Sequence, residues 1–485
     1  MNRLKSYVNG RSVGILGLGV SNLPLAERLC DMGITLTVYD KKTPEELGEG
    51  ALSLAGRGVK FISGANCFDD IEEELIFRSP GLRPDLPAIK AVQEKGGELT
   101  SEIELLLEFC PCYTYAINGS DGKTTTTTLT GKFLECNAKK QGGSVYVGGN
   151  IGTPLLTKYS EMTVSDKVVL ELSSFQLMTV KRAPAHVAIT NVTPNHLDWH
   201  GEMGEYIAAK KNIIGRETRR VVVNADNEVT RNIGIEASAE GKEVIFFSSA
   251  ADSFESAVPK DCKGCLAVYL CDGAITITDG DRSEKLLDVA DIKVPGKHNV
   301  ENFMTAVALT LGKVSVDCYK TVAESFFGVE HRLEFVRRFE GIDYYNSSID
   351  SSPTRTAAAL SALGARDIVI ICGGYDKKIP YEPLAEHLFK CAAAVVLTGA
   401  TAGKISDAMD KYAAEHKDLT MPKRVRENDF CAAVEGARRL ALEIGKKDPC
   451  VLLSPASASF DSFKNFAERG NFFKTIVNQL DVKEN

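Results

Sequence analysis

Short apolar runs alternate with amphipathic stretches along the N-terminal part of the chain. Ser12–Leu16 is an apolar run that leads into a Gly-Leu-Gly turn, and Leu23–Met32 has the three- and four-residue spacing of a helix. Thr35–Tyr39 is then a β-branched run, which suits a strand. The order of strand, glycine turn, helix and strand predicts a βαβ unit. We expect this first segment to close near a helix at Ser101–Phe109.

The middle of the chain repeats this alternation. Apolar runs that predict strands lie at Tyr113–Ile117, Val168–Leu172, His186–Thr190 and Val221–Val223. Between residues 243 and 294 the pattern changes to short β-rich runs that are separated by turn residues. That change predicts a small antiparallel patch attached to the α/β core.

The C-terminal part returns to strands that are separated by helical stretches. Its predicted strands are Ile368–Cys372, Ala394–Thr398 and Cys450–Ser454. Strands that alternate with helices predict parallel sheets, so the expected fold class is α/β. A chain of 485 residues has room for about three domains of roughly 100–200 residues each. We place these domains at residues 1–109, 110–327 and 328–485.

Composition and charge narrow the function classes. The hydrophobic fraction of 44% and the charged fraction of 25% are ordinary for a globular protein. With 57 basic and 65 acidic residues the net charge is −8, which argues against a general binder of nucleic acid or anionic membranes. The first ten residues hold no apolar signal core, and no apolar run reaches the length of about 18 residues that a membrane span needs. We therefore expect a cytoplasmic protein without membrane insertion.

The 13 cysteines fit reduced thiols better than a disulfide framework, because their number is odd and the chain is long. Cys262 and Cys265 form a CxxC pair with Cys271 nearby, but no second pair lies at zinc-site spacing. A thiol pair is the preferred interpretation, and a zinc site is the alternative.

A glycine- and threonine-rich turn carries the strongest chemical signal in the chain. It reads Gly119-Ser120-Asp121-Gly122-Lys123-Thr124-Thr125 and lies between a predicted strand and a helical stretch. Glycines let backbone N–H groups approach phosphate oxygens, and the start of the following helix favours negative charge. Lys123 can reach the β- and γ-phosphates of a nucleotide, and the Thr124 hydroxyl can bind Mg²⁺. Ile117 replaces the first glycine of the usual phosphate-loop pattern, which leaves an ordinary turn before a helix as the alternative.

Acidic and histidine side chains follow two later strands. Glu171 lies near the end of the apolar run 168–172, where a carboxylate that follows a phosphate loop suits a Mg²⁺ ligand. His196, Asp198 and His200 lie just after the predicted strand 186–190, where open α/β sheets bind ligands. Their spacing alone supports a metal or substrate role and a packing role equally.

The first glycine turn is nearly a dinucleotide fingerprint, with Gly17 and Gly19 followed about twenty residues later by Asp40. Asn22 stands where that fingerprint has a third glycine or alanine. The turn indicates a nucleotide or phosphate site, and it leaves an NAD-dependent oxidoreductase or a plain βα turn as alternatives. A nucleotide-dependent switch protein is a further class, which the carboxylate, histidine and lysine set near the phosphate loop disfavours.

These motifs, in this order, resemble those of the Mur ligase family of cell-wall peptide synthetases, and the resemblance covers almost the whole chain. The phosphate loop resembles the family's GTNGKT-type ATP loop, which also lacks the first glycine. Four further segments match motifs of the family. Residues 171–177 match the motif E-x-SSFQL, and residues 191–200 match N-[IV]-x-x-[DN]-H-L-D-x-H. Residues 296–302 match G-x-HN-x-x-N, and residues 328–334 match the H-R-x-E motif. Residues 148–152 and 453–471 resemble the branch of the family that adds D-glutamate.

The resemblance implies three domains. They are a Rossmann-like N-terminal domain for the uridine nucleotide, a central P-loop-type ATPase domain with a parallel sheet, and a Rossmann-like α/β C-terminal domain for the amino acid. The implied activity is ATP-dependent joining of D-glutamate to UDP-N-acetylmuramoyl-L-alanine through an acyl phosphate, with two Mg²⁺ ions or Mn²⁺ in their place. A monomer acting on small molecules is expected. Another member of the family or a folylpolyglutamate-type ligase is the alternative within this class.

The resemblance also assigns roles to residues at matching motif positions. The catalytic residues are Lys123, His196 and Lys210, and the metal ligands are Thr124, Glu171, His196 and Lys210, the last as a carbamylated lysine. ATP would contact Gly119, Ser120, Asp121, Gly122, Lys123, Thr124, Thr125, Asn299, Asn302 and Arg332. The substrates would contact Val20, Ser21, Asp40 and Lys41 through uridine, Asn150, Ser173 and Gln176 through the muramoyl peptide, and Lys377, Ser459, Phe460 and Phe466 through the amino acid. From its helical context alone, Lys210 would be a solvent-exposed lysine.

One segment departs from the family pattern. Where many members read N-D-S-K-A-T-N, this chain has residues 346–352 with the sequence Asn-Ser-Ser-Ile-Asp-Ser-Ser. Ser347 and Ile349 replace an acid and a lysine, so contacts from those two positions are not carried over. Asp350 or Arg355 is the candidate that compensates for this loss.

Overall fold

The computed structural model describes residues 3–444 and 448–480. Residues 1–2, 445–447 and 481–485, which fall within the expected first and third domains, lie outside the described part. The chain divides into two compact units, one formed by residues 1–291 and 298–324 and the other by residues 292–297 and 325–485. The first unit contains two sheets and the second contains one. The boundaries of the three expected domains stay a prediction.

The N-terminal sheet has five parallel strands. They are β1 (Val13–Leu16), β2 (Leu36–Asp40), β3 (Lys60–Ser63), β4 (Leu75–Arg78) and β5 (Glu98–Thr100), and their order across the sheet is β3-β2-β1-β4-β5. The helices of this part are α1 (Arg3–Val8), α2 (Asn22–Asp31), α3 (Pro44–Leu47), α4 (Glu49–Gly56), α5 (Pro87–Glu94) and α6 (Glu102–Phe109). Every residue of β1 and β4 is buried, as expected for central strands of a parallel sheet. The predicted βαβ unit is formed by β1, α2 and β2.

The second sheet of the first unit has nine strands. They are β6 (Tyr113–Asn118), β7 (Val145–Gly149), β8 (Lys167–Glu171), β9 (His186–Ile189), β10 (Arg220–Asn224), β11 (Glu243–Ser248), β12 (Leu266–Cys271), β13 (Ala274–Thr278) and β14 (Ser283–Asp288). Their order is β14-β13-β12-β11-β10-β9-β6-β8-β7. The helices are α7 (Lys123–Gln141), α8 (Ser174–Leu177), α9 (Leu197–His200), α10 (Met203–Lys211), α11 (Glu228–Ala239), α12 (Phe254–Ala257), α13 (Lys297–Thr310) and α14 (Val316–Ser325), with 3₁₀ turns at Leu156–Glu161 and Val289–Asp291.

The expected antiparallel patch from residue 243 is only partly correct. β11 pairs in parallel with both β10 and β12, so it belongs to the parallel part of the sheet. The antiparallel pairs of this region are β12 with β13 and β13 with β14, and β13 and β14 extend the sheet at its edge. The difference arises because α11 connects β10 to β11 as a crossover, which returns the chain in the same direction.

The sheet of the second unit has six strands. They are β15 (Glu334–Phe339), β16 (Ile342–Asn346), β17 (Asp367–Cys372), β18 (Ala392–Leu397), β19 (Lys423–Arg426) and β20 (Pro449–Leu453), in the order β15-β16-β20-β17-β18-β19. β15 and β16 form an antiparallel hairpin, which the sequence patterns had not indicated, and the other neighbours are parallel. The helices are α15 (Pro353–Leu363), α16 (Glu382–Cys391), α17 (Ala402–Glu415), α18 (Phe430–Ile444) and α19 (Phe466–Asn478).

Strand order decides which loops meet. β6 lies between β8 and β9, and the three strands are parallel, so the segments that follow Asn118, Glu171 and Ile189 leave the same edge of the sheet. In the second unit β20 lies between β16 and β17, which groups the segments after Asn346, Leu453 and Cys372 in the same way. Within the described ranges, no helix is both long and apolar enough to span a membrane.

Candidate active site

The turn between β6 and α7 is built on two glycines with positive φ. Gly119 has φ 147° and Gly122 has φ 78°, a region that residues with a β-carbon rarely adopt. A β-carbon on Gly119 would lie 1.8 Å from Thr190 Oγ1, so only glycine fits there. Thr124 is half-buried and Thr125 is buried in the first turn of α7. The seven predicted loop residues thus surround a helix start at the edge of the sheet where phosphates bind.

Asn191 fixes the shape of this turn. Its side-chain Oδ1 accepts from the backbone N–H of Ser120 at 3.1 Å and of Asp121 at 2.9 Å. The hydroxyl of Ser120 in turn lies 3.0 Å from the carbonyl oxygen of Thr193 and 3.1 Å from the Tyr206 hydroxyl. Sequence reasoning placed Asn191 in a motif without assigning it a role. Its position directly after β9 was the available signal.

Two lysines converge on the loop. Lys123 Nζ donates to the carbonyl oxygens of Gly119 (2.9 Å) and Ser120 (2.8 Å). Lys210 Nζ donates to the same Gly119 carbonyl (2.7 Å) and to Asn118 Oδ1 (2.9 Å). Lys210 is only 1% exposed, so the exposed side chain expected from its helix alone is wrong. Burial, and next the charge of Lys123, lower the pKa of Lys210 to about 6.

Glu171 offers a carboxylate oxygen without a partner. It ends β8, and its Oε1 accepts from Asn150 Nδ2 at 2.8 Å. Its Oε2 is buried and has no hydrogen-bond partner within residues 3–444 and 448–480. A buried, unpaired carboxylate oxygen is unfavourable unless a cation or a proton compensates it. Glu171 therefore fits the donor set of a hard divalent cation, as does the Thr124 hydroxyl.

His196 adopts a left-handed conformation, with φ 54° and ψ 30°, at the start of α9. Its ring packs edge-on against Phe175 at a centroid distance of 5.0 Å. Burial and the charge of Lys123 lower its pKa, with a smaller contribution from Lys210, while Asp198 acts in the opposite direction. The ring is therefore neutral near pH 7 and offers a lone pair. No group of three His, Cys, Asp or Glu side chains that could hold a metal occurs within the described part of the chain, so the expected set relies on Thr124 and Lys210 besides Glu171 and His196.

The segment after Glu171 is held rigidly. Ser173 and Gln176 form a capping box at the start of α8, in which Gln176 N donates to Ser173 Oγ and Ser173 N donates to Gln176 Oε1. Arg78, which is 1% exposed at the end of β4, donates to the carbonyl of Phe175 at 2.8 Å and to Thr179 Oγ1 at 3.3 Å. Arg78 was missed because an arginine at the end of an apolar strand gives no motif.

Two asparagines of α13 lie beside the phosphate loop. Asn302 Oδ1 accepts from Thr126 Oγ1 at 3.2 Å, and its Nδ2 donates to Asn299 Oδ1 at 3.3 Å. A β-carbon on Gly122 would lie 2.4 Å from Asn302 Oδ1, so the loop backbone and this amide are in close contact. The structure thus brings Asn302 and the loop together across a long stretch of sequence.

The first glycine turn is stabilised by side chains. Asp40 Oδ2 accepts from Leu18 N at 2.8 Å, and Asn22 Nδ2 donates to the carbonyl of Gly17 at 2.9 Å. Asn22 is buried. It stands where the fingerprint has a glycine, and its side chain stabilises the turn through this hydrogen bond. Val20 and Lys41 are exposed and Ser21 is half-buried, so all three are accessible to a ligand at this turn.

In the second unit, two of the residues expected to bind the amino acid, Lys377 and Phe466, contact the segment 346–352. Lys377 Nζ donates to Ser351 Oγ at 3.0 Å. Burial, followed by the charges of Arg355 and Arg469, lowers the pKa of Lys377. Ser459 is buried, whereas Phe460 is exposed and its ring lies 5.9 Å from that of Tyr375.

Arg332 lies between two residues with positive φ, His331 (63°) and Leu333 (45°). The ring of Phe466 lies 5.9 Å from that of His331 and stands almost perpendicular to it. Backbone in this region is strained for residues with a β-carbon and is found preferentially at functional sites.

The divergent segment folds around Asp350. This carboxylate accepts from Ser454 Oγ at 2.9 Å, and burial raises its pKa to about 6. Arg355 instead donates to the backbone carbonyl of Ile349 at 3.4 Å. Arg469 is buried, and sequence reasoning also missed it. It links this segment to the loop after β20 by donating hydrogen bonds to the carbonyl oxygens of Ser348 (2.9 Å) and Ser457 (3.1 Å).

The cysteine pair is not part of a metal-binding cluster among the described residues. Cys262 and Cys265 are buried free thiols, and Cys265 Sγ lies 3.4 Å from Ser238 Oγ. The described residues provide no third metal-binding side chain beside this pair.

Comparisons with known proteins agree with this geometry. Residues 117–310 match the model of the Mur ligase middle domain. The chain is 42% identical over 487 residues to a UDP-N-acetylmuramoylalanine–D-glutamate ligase of Ruminiclostridium cellulolyticum, and 41% identical over 486 residues to one of Acetivibrio thermocellus. Each alignment covers 99% of this chain and 99% of the relative.

Solved structures share the fold at low sequence identity. UDP-N-acetylmuramate-alanine ligase MurC of Thermotoga maritima matches with a TM-score of 0.54 and 17% identity, covering 98% of this chain and all of that one. MurF of Acinetobacter baumannii matches with a TM-score of 0.51 and 18% identity over 78% of each chain. The full-length similarity to the curated relatives shows that the chain belongs to the Mur ligase family.

Proposed function

We propose that the protein joins D-glutamate to UDP-N-acetylmuramoyl-L-alanine at the expense of ATP, in the synthesis of peptidoglycan precursors. The proposal rests most directly on the convergence of Lys123 and Lys210 on the carbonyl of Gly119, within a chain 41–42% identical along its whole length to ligases of that name. The protein is expected to act as a cytoplasmic monomer.

The first step activates a carboxylate. A carboxylate oxygen of UDP-N-acetylmuramoyl-L-alanine attacks the γ-phosphorus of ATP, the bond to the bridging oxygen breaks, and ADP leaves with an acyl phosphate formed. Both reacting groups are anionic, so positive charge must lie beside them. The Lys123 ammonium, now bound to loop carbonyls, supplies it from the start of α7. Thr124 and the unpaired oxygen of Glu171 would hold Mg²⁺, which supplies further positive charge near the transferring phosphoryl group.

The second step forms the amide. The amine of D-glutamate attacks the acyl carbon, inorganic phosphate leaves with the electron pair of the C–O bond, and the amine loses a proton. The neutral ring of His196 can accept a proton or bind a cation with its lone pair. In the second unit, Lys377 and the nearby Arg355 provide positive charge for the carboxylates of the amino acid.

Lys210 is the proposed carbamylated lysine. Carbamylation requires a neutral amine, which adds to CO₂ and releases one proton. The pKa of about 6 makes Lys210 mostly neutral at pH 7, which supports this chemistry. The carbamate would replace this neutral amine by an anion that acts on His196, and with Thr124, Glu171 and His196 it would complete a set of oxygen and nitrogen donors.

A phosphate-release assay with an amino-acid panel tests the proposal. Phosphate release should require ATP, UDP-N-acetylmuramoyl-L-alanine and D-glutamate together. If L-lysine or diaminopimelate supported equal release in place of D-glutamate, the substrate assignment would be wrong. NADH turnover without ATP would instead favour the oxidoreductase alternative.

A further inference from the structure

Four side chains from separate elements of the first unit form one hydrogen-bonded chain. Arg83 donates from NH1 and NH2 to the two carboxylate oxygens of Glu205, at 3.0 Å each. Glu205 Oε1 lies 3.2 Å from His200 Nδ1, and His200 Nε2 lies 2.9 Å from Ser174 Oγ. Arg83 follows β4, Ser174 begins α8, His200 ends α9 and Glu205 lies in α10. This chain, Arg83–Glu205–His200–Ser174, is called the His200 chain below.

The protons of the His200 chain have one consistent arrangement. The bonds from Arg83 lower the pKa of Glu205, so this group is ionised and only accepts hydrogen bonds. Nδ1 of His200 must therefore carry the proton that it donates to Glu205. The His200 ring is 2% exposed and has one carboxylate partner, at Nδ1, so Nε2 is left as the acceptor for the Ser174 hydroxyl at 2.9 Å.

Serine, histidine and glutamate bonded in this order have the connectivity of an acyl-transfer triad. Here, however, Ser174 is 3% exposed and His200 is 2% exposed. A buried hydroxyl cannot reach a substrate carbonyl, so a nucleophilic role is excluded and a positioning role is left.

The groups held by the His200 chain flank the phosphate loop. The ring of Phe175, the residue after Ser174, stacks on His200 at 5.4 Å and contacts His196 edge-on at 5.0 Å. Backbone bonds from Trp199 and His200 to the carbonyl of His196 close the short helix α9 on that left-handed residue. Glu205 lies in the same helix as Lys210. Fixing Ser174 and Glu205 therefore constrains the orientation of both His196 and Lys210.

We propose that His200 is a positioning residue of the ligase reaction. Through its two ring nitrogens it fixes α8 at Ser174 and α10 at Glu205, and thereby holds His196 and Lys210 at the phosphate loop. The catalytic consequence rests on the proposed function, whereas the proton arrangement is independent of it.

Nitrogen NMR of the ¹⁵N-histidine-labelled full chain tests the arrangement without any substrate. His200 is assigned from the signal that is lost in His200→Gln. The wild type should show a protonated Nδ1 and an unprotonated Nε2, and Ser174→Ala should shift the Nε2 resonance more than the Nδ1 resonance. A proton on Nε2, or an Nε2 signal that Ser174→Ala leaves unchanged, would overturn the proposal.

Steady-state kinetics test the positioning role. Ser174→Ala and His200→Phe should each lower kcat about tenfold to hundredfold, the range found when groups that orient catalytic ligands are removed. The KM for D-glutamate should stay constant. The double variant should lose little more than either single variant, because both substitutions break the same chain.

A purely structural role would give a different pattern. It would lower the fraction of active enzyme, leave the kcat per active molecule unchanged, and make the two losses additive. His387→Phe, in helix α16 of the second unit, is the control and should match the wild type. If the wild type released no phosphate with both substrates, the proposed function would fail, while the NMR result would still decide the proton arrangement.

Discussion

Removing the buried amine of Lys210 should stabilise the protein while abolishing ligation. Lys210→Met keeps the length and apolar character of the side chain and deletes its charge. In the unfolded chain this amine has the ordinary lysine pKa of 10.5, against about 6 in the folded protein. At pH 7 folding must therefore remove a proton, which opposes folding by about 5 kcal/mol. The substitution also loses two hydrogen bonds, to Asn118 and Gly119, worth about 1 kcal/mol each.

The net expectation is a gain of about 3 kcal/mol in unfolding free energy at pH 7. The sign follows from the lowered pKa of Lys210. Between pH 6 and 10.5 the unfolded chain binds more protons at this position, so wild-type stability rises with pH and the advantage of Lys210→Met shrinks. By pH 9 the opposing free energy falls to about 2 kcal/mol, and the two proteins should have nearly equal stability.

Urea denaturation from pH 6.5 to 9.5, in buffer depleted of CO₂ so that no carbamate forms, measures this effect. Lys211→Met is the matched control, because Lys211 is the next residue, is only half-buried and pairs with Glu236 at the surface. It should change stability by at most about 0.5–1 kcal/mol at every pH. Parallel pH profiles for wild type and Lys210→Met, or a loss of stability at pH 7, would refute the reasoning.

Three further substitutions test the two units. Gly119→Ala should lose phosphate release and about 2–4 kcal/mol of stability, because its β-carbon would clash with Thr190 Oγ1 and its φ is strained. The control is Gly142→Ala at the far end of α7, where φ is also strained but no atom lies within 4 Å of the added β-carbon, and this variant should keep its kcat. Equal losses in both variants would contradict the clash with Thr190. Lys123→Ala should lower kcat at least a hundredfold in the same assay with little change in melting temperature, and near wild-type turnover would show that the loop does not bind the transferring phosphate. Asp350→Asn should raise the melting temperature at pH 7 but much less at pH 4, because the pKa of this carboxyl is raised from 3.8 to about 6, so that wild-type stability falls as the pH rises between these two values; a difference that is equal at pH 4 and pH 7 would argue against this.

Much of the fold was accessible from local patterns. The β1–α2–β2 unit, the strands that lead to the phosphate loop and to Glu171, and the strands β17, β18 and β20 of the second unit lie within one or two residues of their predicted positions, whereas β19 was not predicted. The period of the hydrophobic pattern and the local amino-acid composition determine such elements, because each element is stabilised by burying one contiguous apolar run. The β15–β16 hairpin and the parallel pairing of β11 escaped prediction, since pairing partners depend on distant strands.

The family and the ligase class predicted from motif resemblance are confirmed by relatives that match the chain from end to end. The individual site residues stay predictions, although the structure brings several of them together. Asn302 reaches the phosphate loop, Lys123 and Lys210 share the carbonyl of Gly119, and one oxygen of Glu171 is unpaired among the described residues. Asn191, Arg78 and Arg469 received no role from the sequence, because their roles lie in contacts with remote backbone groups.

The sequence by itself determined the α/β class, the glycine loop and the membership of the family, because these depend on neighbouring residues and on their order. Only the tertiary structure decided that Lys210 is a buried amine with a lowered pKa and that His200 bridges α8 and α10. The physical reason is that burial, desolvation and hydrogen-bond partners are set by which strands lie side by side. A lysine at the surface of an isolated helix and one beneath a phosphate loop have the same local sequence, and they differ only in what the rest of the chain packs around them.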